Sequence, residues 1–175
     1  MPDTSTEVAI ATTTLGSAAS TITFSSIPGT YTDLRLVANI ATVNQGDSYK
    51  IRFNSDSGTN YSHTEIIGNG STADSYRTSN ANGIWVNYAG IGTPAGAFPL
   101  TTQFISFDLF SYAGSTNKTG LLTISNDYQN TGAGNGTVTR EVGLWRNTSA
   151  VTSITLVANS SNFYQGCTAT LYGIL

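Results

Sequence analysis

Charge is what this chain has least of. Asp, Glu, Lys and Arg together make up 10% of its 175 residues, against about 25% in an ordinary soluble domain. Two Lys and five Arg are scattered among seven Asp and three Glu, for a formal net charge of -3. Phosphate backbones are gripped by clustered cations, so nucleic acid is excluded as a partner. The single cysteine, Cys167, excludes an internal disulfide. One histidine, His63, and that one cysteine form no zinc cluster, and no metal or cofactor is expected. No apolar run approaches the roughly 18 residues of a membrane-crossing helix, so no insertion is expected. The opening MPDTSTEVAI is acidic and polar where a secretory leader has a basic stretch and then an apolar one, so none is expected. Strong helix formers are sparse, which argues against long helices.

Small neutral polar residues stand where the charges are missing: 20 Ser, 28 Thr and 15 Asn, with 18 Gly. The chain is nevertheless 39% hydrophobic, with 9 Tyr, 7 Phe and 2 Trp, enough apolar matter for a core and against disorder. The length suits one domain. Residues 1–7 read as a polar arm and 8–175 as a single folded unit.

The dominant period is two. In 32–41, Leu34, Leu36, Ala38 and Ile40 share one face and Asp33, Arg35, Val37 and Asn39 the other. In 49–53, Tyr49, Ile51 and Phe53 point inward. Further strands are expected at 8–12, 22–24, 61–67, 84–88, 120–125, 137–145, 151–158 and 167–174. Segment 103–111 is apolar on both sides, Phe104 and Phe110 opposing Ile105, Phe107 and Leu109. Such a strand is central, or presents one face to something outside its own core. Residues 68–83, 89–100 and 126–137 read as long surface excursions. Eight to ten short strands with turn-rich joints predict an all-β fold, an antiparallel two-sheet β-sandwich. A jelly roll is the favoured topology, although alternation alone also admits an immunoglobulin-like one; the missing Cys…Trp…Cys framework argues against a true immunoglobulin domain.

Catalytic patterns are weak. His63 and Glu65 share a strand face and have the chemistry of a general base, but read best as a surface pair. No Gly-x-Ser-x-Gly occurs, and no catalytic residue is assigned. Asp108, within the apolar FISFDLF, needs a partner such as Arg35 or Arg140, or a place at a subunit contact. The 54–60 loop offers Asn54, Asp56 and Asn60 as oxygen ligands, with Glu65 twelfth from Asn54, but Thr59 stands where an EF-hand needs Gly. Whether that loop holds calcium is left open. Trp85, Tyr88, Tyr128 and Trp145, near turns among Asn, Asp and Gln, are the candidates for a glycan site.

Four segments carry a resemblance: TTTLGSAASTITFSSIPGTYTDLRLVANI (12–40), IRFNSDSGTNYS (51–62), FISFDLFSYAGSTNKTGLLTIS (104–125) and LWRNTSAVTSITLVANSSNFYQGCTATLYGI (144–174). In this order they resemble a family of small virion structural proteins of tailed bacteriophages. Members commonly have Ser where this chain has Asn147, and the loops at 68–83 and 126–137 are longer here. The resemblance implies a β-sandwich on the virion as a capsid decoration, a head fibre or a tail-fibre component, without cofactor or catalytic residues. No repeat or heptad of a fibre shaft is present. The expectation is therefore a non-enzymatic capsid decoration (cement) protein on the virion surface, assembled in the host cytoplasm. Its partners would be copies of itself, naturally three, and the major capsid protein or another virion protein. Phe104, Asp108, Phe110, Tyr172, Ile174 and Leu175 are the expected interface. The alternative is a tail or fibre component that recognises a host surface glycan.

Overall fold

A computed structural model describes residues 6–44, 47–86, 102–127 and 136–175. Among them there is no helix, and twelve strands form two antiparallel sheets: β1 Glu7–Thr14, β2 Thr21–Phe24, β3 Asp33–Ile40, β4 Tyr49–Phe53, β5 Tyr61–Gly68, β6 Ala73–Ala81, β7 Ile84–Val86, β8 Gln103–Phe110, β9 Lys118–Asp127, β10 Gly136–Trp145, β11 Ile154–Ala158 and β12 Thr168–Ile174. The larger sheet runs β1-β12-β3-β8-β9-β10-β5-β6 and the smaller β2-β11-β4-β7. They pack face to face as a β-sandwich, as period-two patterning requires. The pairs β1–β12, β2–β11, β5–β10 and β8–β9 nest one inside the next along the chain. Strand β1 begins at Glu7, one residue inside the segment read as an arm.

The core lies where the smaller sheet covers the larger. Leu34, Leu36 and Ile40 of β3, Ile105, Phe107 and Leu109 of β8, Ile51 and Phe53 of β4, and Leu171 of β12 are buried. Their alternation is the one read from the sequence. An aromatic group closes one end of this core: Phe53 lies 5.5 Å from Trp145 and 6.1 Å from Phe107, and Tyr61 stacks on Trp145 at 6.2 Å. Two glycines make room for neighbours. A Cβ on Gly143 of β10 would stand 2.5 Å from Ile84 Cδ1, and one on Gly120 of β9 would stand inside normal contact of the Phe107 ring.

Two expectations need correction. Twelve strands exceed the eight to ten expected. Eleven fall on segments read as strands, and the twelfth, β6, lies inside a segment read as a loop. Residues 73–80 of β6 are all exposed, because this edge strand lies beyond the reach of the four-stranded sheet. A strand wet on both faces carries no alternation to read. The β5–β6 register shifts between Tyr61 and His63, where Asn80 takes φ 57° and absorbs the extra residue. The excursion at 89–100 lies outside the described residues; that at 126–137 is strand at both ends, in β9 and β10.

Candidate functional site

Strands β10 and β5 are inverted relative to the rest of the sheet. On β10 the buried positions are Thr139, Glu141, Gly143 and Trp145, while Val138 and Val142 are 56% and 50% exposed. On β5, Tyr61, His63 and Glu65 are buried and Ile66 is 60% exposed. The cause is local. Trp145 and Tyr61 are paired partners whose rings anchor both strands inward at one end, and Gly143 admits Ile84. With those positions set, the period of two sends each later residue to a fixed face, whatever its polarity.

One consequence is an apolar outer surface. Across β8, β9, β10 and β5 the register sets Phe104 beside Ser125, then Val138, then Gly68; two residues on, Ser106, Thr123, Arg140 and Ile66 align, and four residues on, Asp108, Leu121, Val142 and Thr64. No layer of described residues lies over this face. Phe104 and Phe110 are exposed on it, and Leu175 is exposed at its margin. Tyr172 and Ile174 are half-buried on the same side of β12. Asp108 has Arg35 as its partner, with Nε 2.6 Å from Oδ1, and Glu7 lies 3.5 Å from the same guanidinium. The hydrogen bond to Asp108 raises Arg35's pKa above its ordinary value. The pair sits half-exposed beside Phe110 and Ile174, lining a shallow depression of about 190 Å³.

The second consequence is a buried polar cluster. His63 and Glu65 are not the surface pair expected; both are buried, and the partner of His63 is Glu141, with Nδ1 3.1 Å from Oε1. The backbone N–H of Trp85 donates to the same Nδ1 at 3.2 Å. Glu141 is the register partner of Glu65. Burial pushes Glu141's pKa up to about 7; the His63 contact opposes this and Glu65 adds to it. Among the described residues no group of three or more His, Cys, Asp or Glu is placed to hold a metal ion.

The other candidates are structural. Trp145 is buried, and its Nε1 donates to Asp56 Oδ2 at 2.7 Å, so it offers no face to a glycan. Trp85 is half-buried, with the Lys50 ammonium 4.0 Å from its ring centroid. Tyr88 and Tyr128 lie outside the described residues. The 54–60 loop spends its oxygens on the protein. Asp56 accepts from Gly58 N, Asn60 Nδ2 and Trp145 Nε1, and Asn54 Oδ1 accepts from Thr152 N and Ser153 N. Partial burial alone would raise the pKa of Asp56, but these donors hold it below the usual range. Glu65, the twelfth position, is buried inside the sandwich. Cys167 is also buried, its Sγ against the Ala41 backbone.

No local motif singles out Lys118. This ammonium is buried and donates to the carbonyls of Gly114, at 2.7 Å, and of Thr116, with Thr148 at 3.4 Å, tying the 111–117 turn to the β10–β11 connection. Burial lowers its pKa. Asp47 plays a similar part at the opposite end, accepting from Ser160 and Ser161 through backbone and hydroxyl donors.

No family model matches this chain, and no curated protein matches it.

Proposed function

We propose that this chain is a non-enzymatic structural protein of a bacteriophage virion, a capsid decoration protein that adheres to the shell and to copies of itself. The observation that carries the reading is the inversion of β10 and β5, which leaves Val138, Val142 and Ile66 in water beside Phe104. A large exposed apolar patch marks a surface that is covered in use. At about 4.8 Å per strand and about 3.4 Å per residue, the four strands β8, β9, β10 and β5 over seven residues offer roughly 450 Å², and the whole eight-stranded face roughly 900 Å². A standard interface takes about 800 Å² from each partner. The ordered segment resemblance supplies the virion context.

Adhesion then works by burial. The apolar side chains of this patch are already about half covered, so burying the rest of each contributes about 1 kcal/mol before the cost of association. The rim of Arg35, Asp108 and Glu7 orients the contact more than it strengthens it, since half-exposed ion pairs are worth little. The test is cryo-electron microscopy of the virion that carries the protein. Density in symmetric clusters on the capsid, the β8–β9–β10–β5 face against shell or sister copies, is the expected result. Density at the tail or fibre tips overturns the decoration reading in favour of host attachment.

A further inference from the structure

The polar cluster beneath β7 carries a conclusion independent of that function. Nδ1 of His63 has two neighbours, the Trp85 N–H at 3.2 Å and Glu141 Oε1 at 3.1 Å. A charged histidine–carboxylate pair would need a proton on Nδ1, and two N–H donors would then point at each other. The geometry is consistent when Nδ1 is bare and its one lone pair is shared by the Trp85 N–H and by the Glu141 carboxyl O–H, which supplies the proton between the two side chains. We propose that Glu141 is a neutral acid in the folded protein, and that the Glu141–His63–Trp85 junction is a pH-sensitive latch fastening β7 to the margin of the larger sheet.

The surroundings favour the neutral form. Both Glu141 carboxyl oxygens are buried, and neither accepts a hydrogen bond from a fixed donor. On β5 the facing titratable groups are His63 and Glu65. On β9 the register partner is Leu122, and β7 brings Ile84 and Val86. Lys50 of β4 is the register partner of Trp85 and spends its charge on that ring. On β6, Tyr76 and Thr78 oppose Glu65 and His63, while Arg77 turns to Thr64. The sequence 87–101 contains no Asp, Glu, Lys, Arg or His. The raised pKa of Glu141 agrees with this setting. Loss of the proton removes the donor to Nδ1 and leaves a carboxylate facing Glu65 in a dry wall. The strand that lets go is β7, three residues long and, among the described residues, paired with β4 alone.

The test is hydrogen exchange at the Trp85 amide, corrected for its intrinsic rate, from pH 5 to 8 in the wild-type protein and in Glu141→Gln. The Gln amide donates to Nδ1 as the acid does, and it does not ionise. If opening returns Glu141 to its ordinary value of 4.5 from about 7, the open population rises roughly tenfold per pH unit between them. Relative to Glu141→Gln, which keeps every other titrating group, wild-type protection should then fall about fortyfold from pH 5 to 7. An equal slope in the wild type and in Glu141→Gln overturns the latch. Should the variant fail to fold, the wild type decides alone: a side-chain carbon titration of Glu141 with its midpoint near 7 and a bare His63 Nδ1 by nitrogen NMR support it, and a midpoint near 4.5 sinks it.

Discussion

The β3–β8 half of the large sheet and its β10–β5 half are built on opposite rules. In the first, Leu34, Leu36, Phe107 and Leu109 are buried, and Arg35 and Asp108 face outward as an ion pair. In the second, Glu141, His63 and Glu65 are inside, and Val138, Val142 and Ile66 are outside. Both halves obey the same alternation, so the difference lies in which side chains were placed on each face. The first half is arranged for stability. The second gives up part of its core to present an apolar surface, and the smaller sheet, four strands against eight, does not reach its edge strand.

The contrast can be broken most severely from the conventional half. Phe107→Ala removes the ring that packs over Gly120 and beside Phe53; it should cost about 3–5 kcal/mol, read by urea unfolding. The inverted half should respond to pH instead. The folded protein keeps the Glu141 proton until about pH 7, and the unfolded chain releases it near 4.5. The stability it contributes is therefore intact below pH 4.5 and lost as pH rises through 7, about 3 kcal/mol in all. Unfolding midpoints across that window check it, with Glu141→Gln more stable than wild type at pH 8. Asp47 and Asp56, held low by their donors, act in the opposite sense, and their contribution is lost only as pH falls below the ordinary carboxylate value.

Lys118→Met should cost about 2 kcal/mol by leaving the carbonyls of Gly114 and Thr116 without their donor, with exchange quickening first in the 111–117 turn. The smallest effect on stability is expected outside: Val142→Thr with Ile66→Thr should shift unfolding by about 0.5 kcal/mol or less. On the adhesion proposed above, the same double variant should abolish self-association in sedimentation and binding to the capsid. A variant that binds undiminished would divorce the inversion from adhesion.

These particulars show what was readable in advance. The faces of β3, β4, β8 and β12 were legible because each has apolar residues on the buried side and at least some polar ones opposite. The pairing of Asp108 with Arg35 was legible as a need for a partner within reach. The inverted strands were not. In 61–67 the alternation leaves Tyr61, His63 and Glu65 against Ser62, Thr64 and Ile66, and residue polarity chooses the wrong side. The decision comes from the Tyr61–Trp145 stack and the Gly143–Ile84 contact, which are tertiary. Strand β6 was hidden for a different reason, since exposure on both faces erases the pattern by which strands are recognised. Lys118 found its carbonyls through a turn and a loop about 30 residues apart, a distance no local motif spans.

The position of the final strand has a kinetic consequence. Strand β12 lies between β1 and β3, so among the described residues the first strand joins the sheet only through β12. The Thr12 and Thr170 hydroxyls that meet across that seam are 158 residues apart in the chain. Closure over such separations is slow, on the scale of milliseconds to seconds. A nascent chain would leave the ribosome with β1 unattached and the edge of β3 open, and both would be liable to pair with neighbouring chains until the C-terminal segment slots between them.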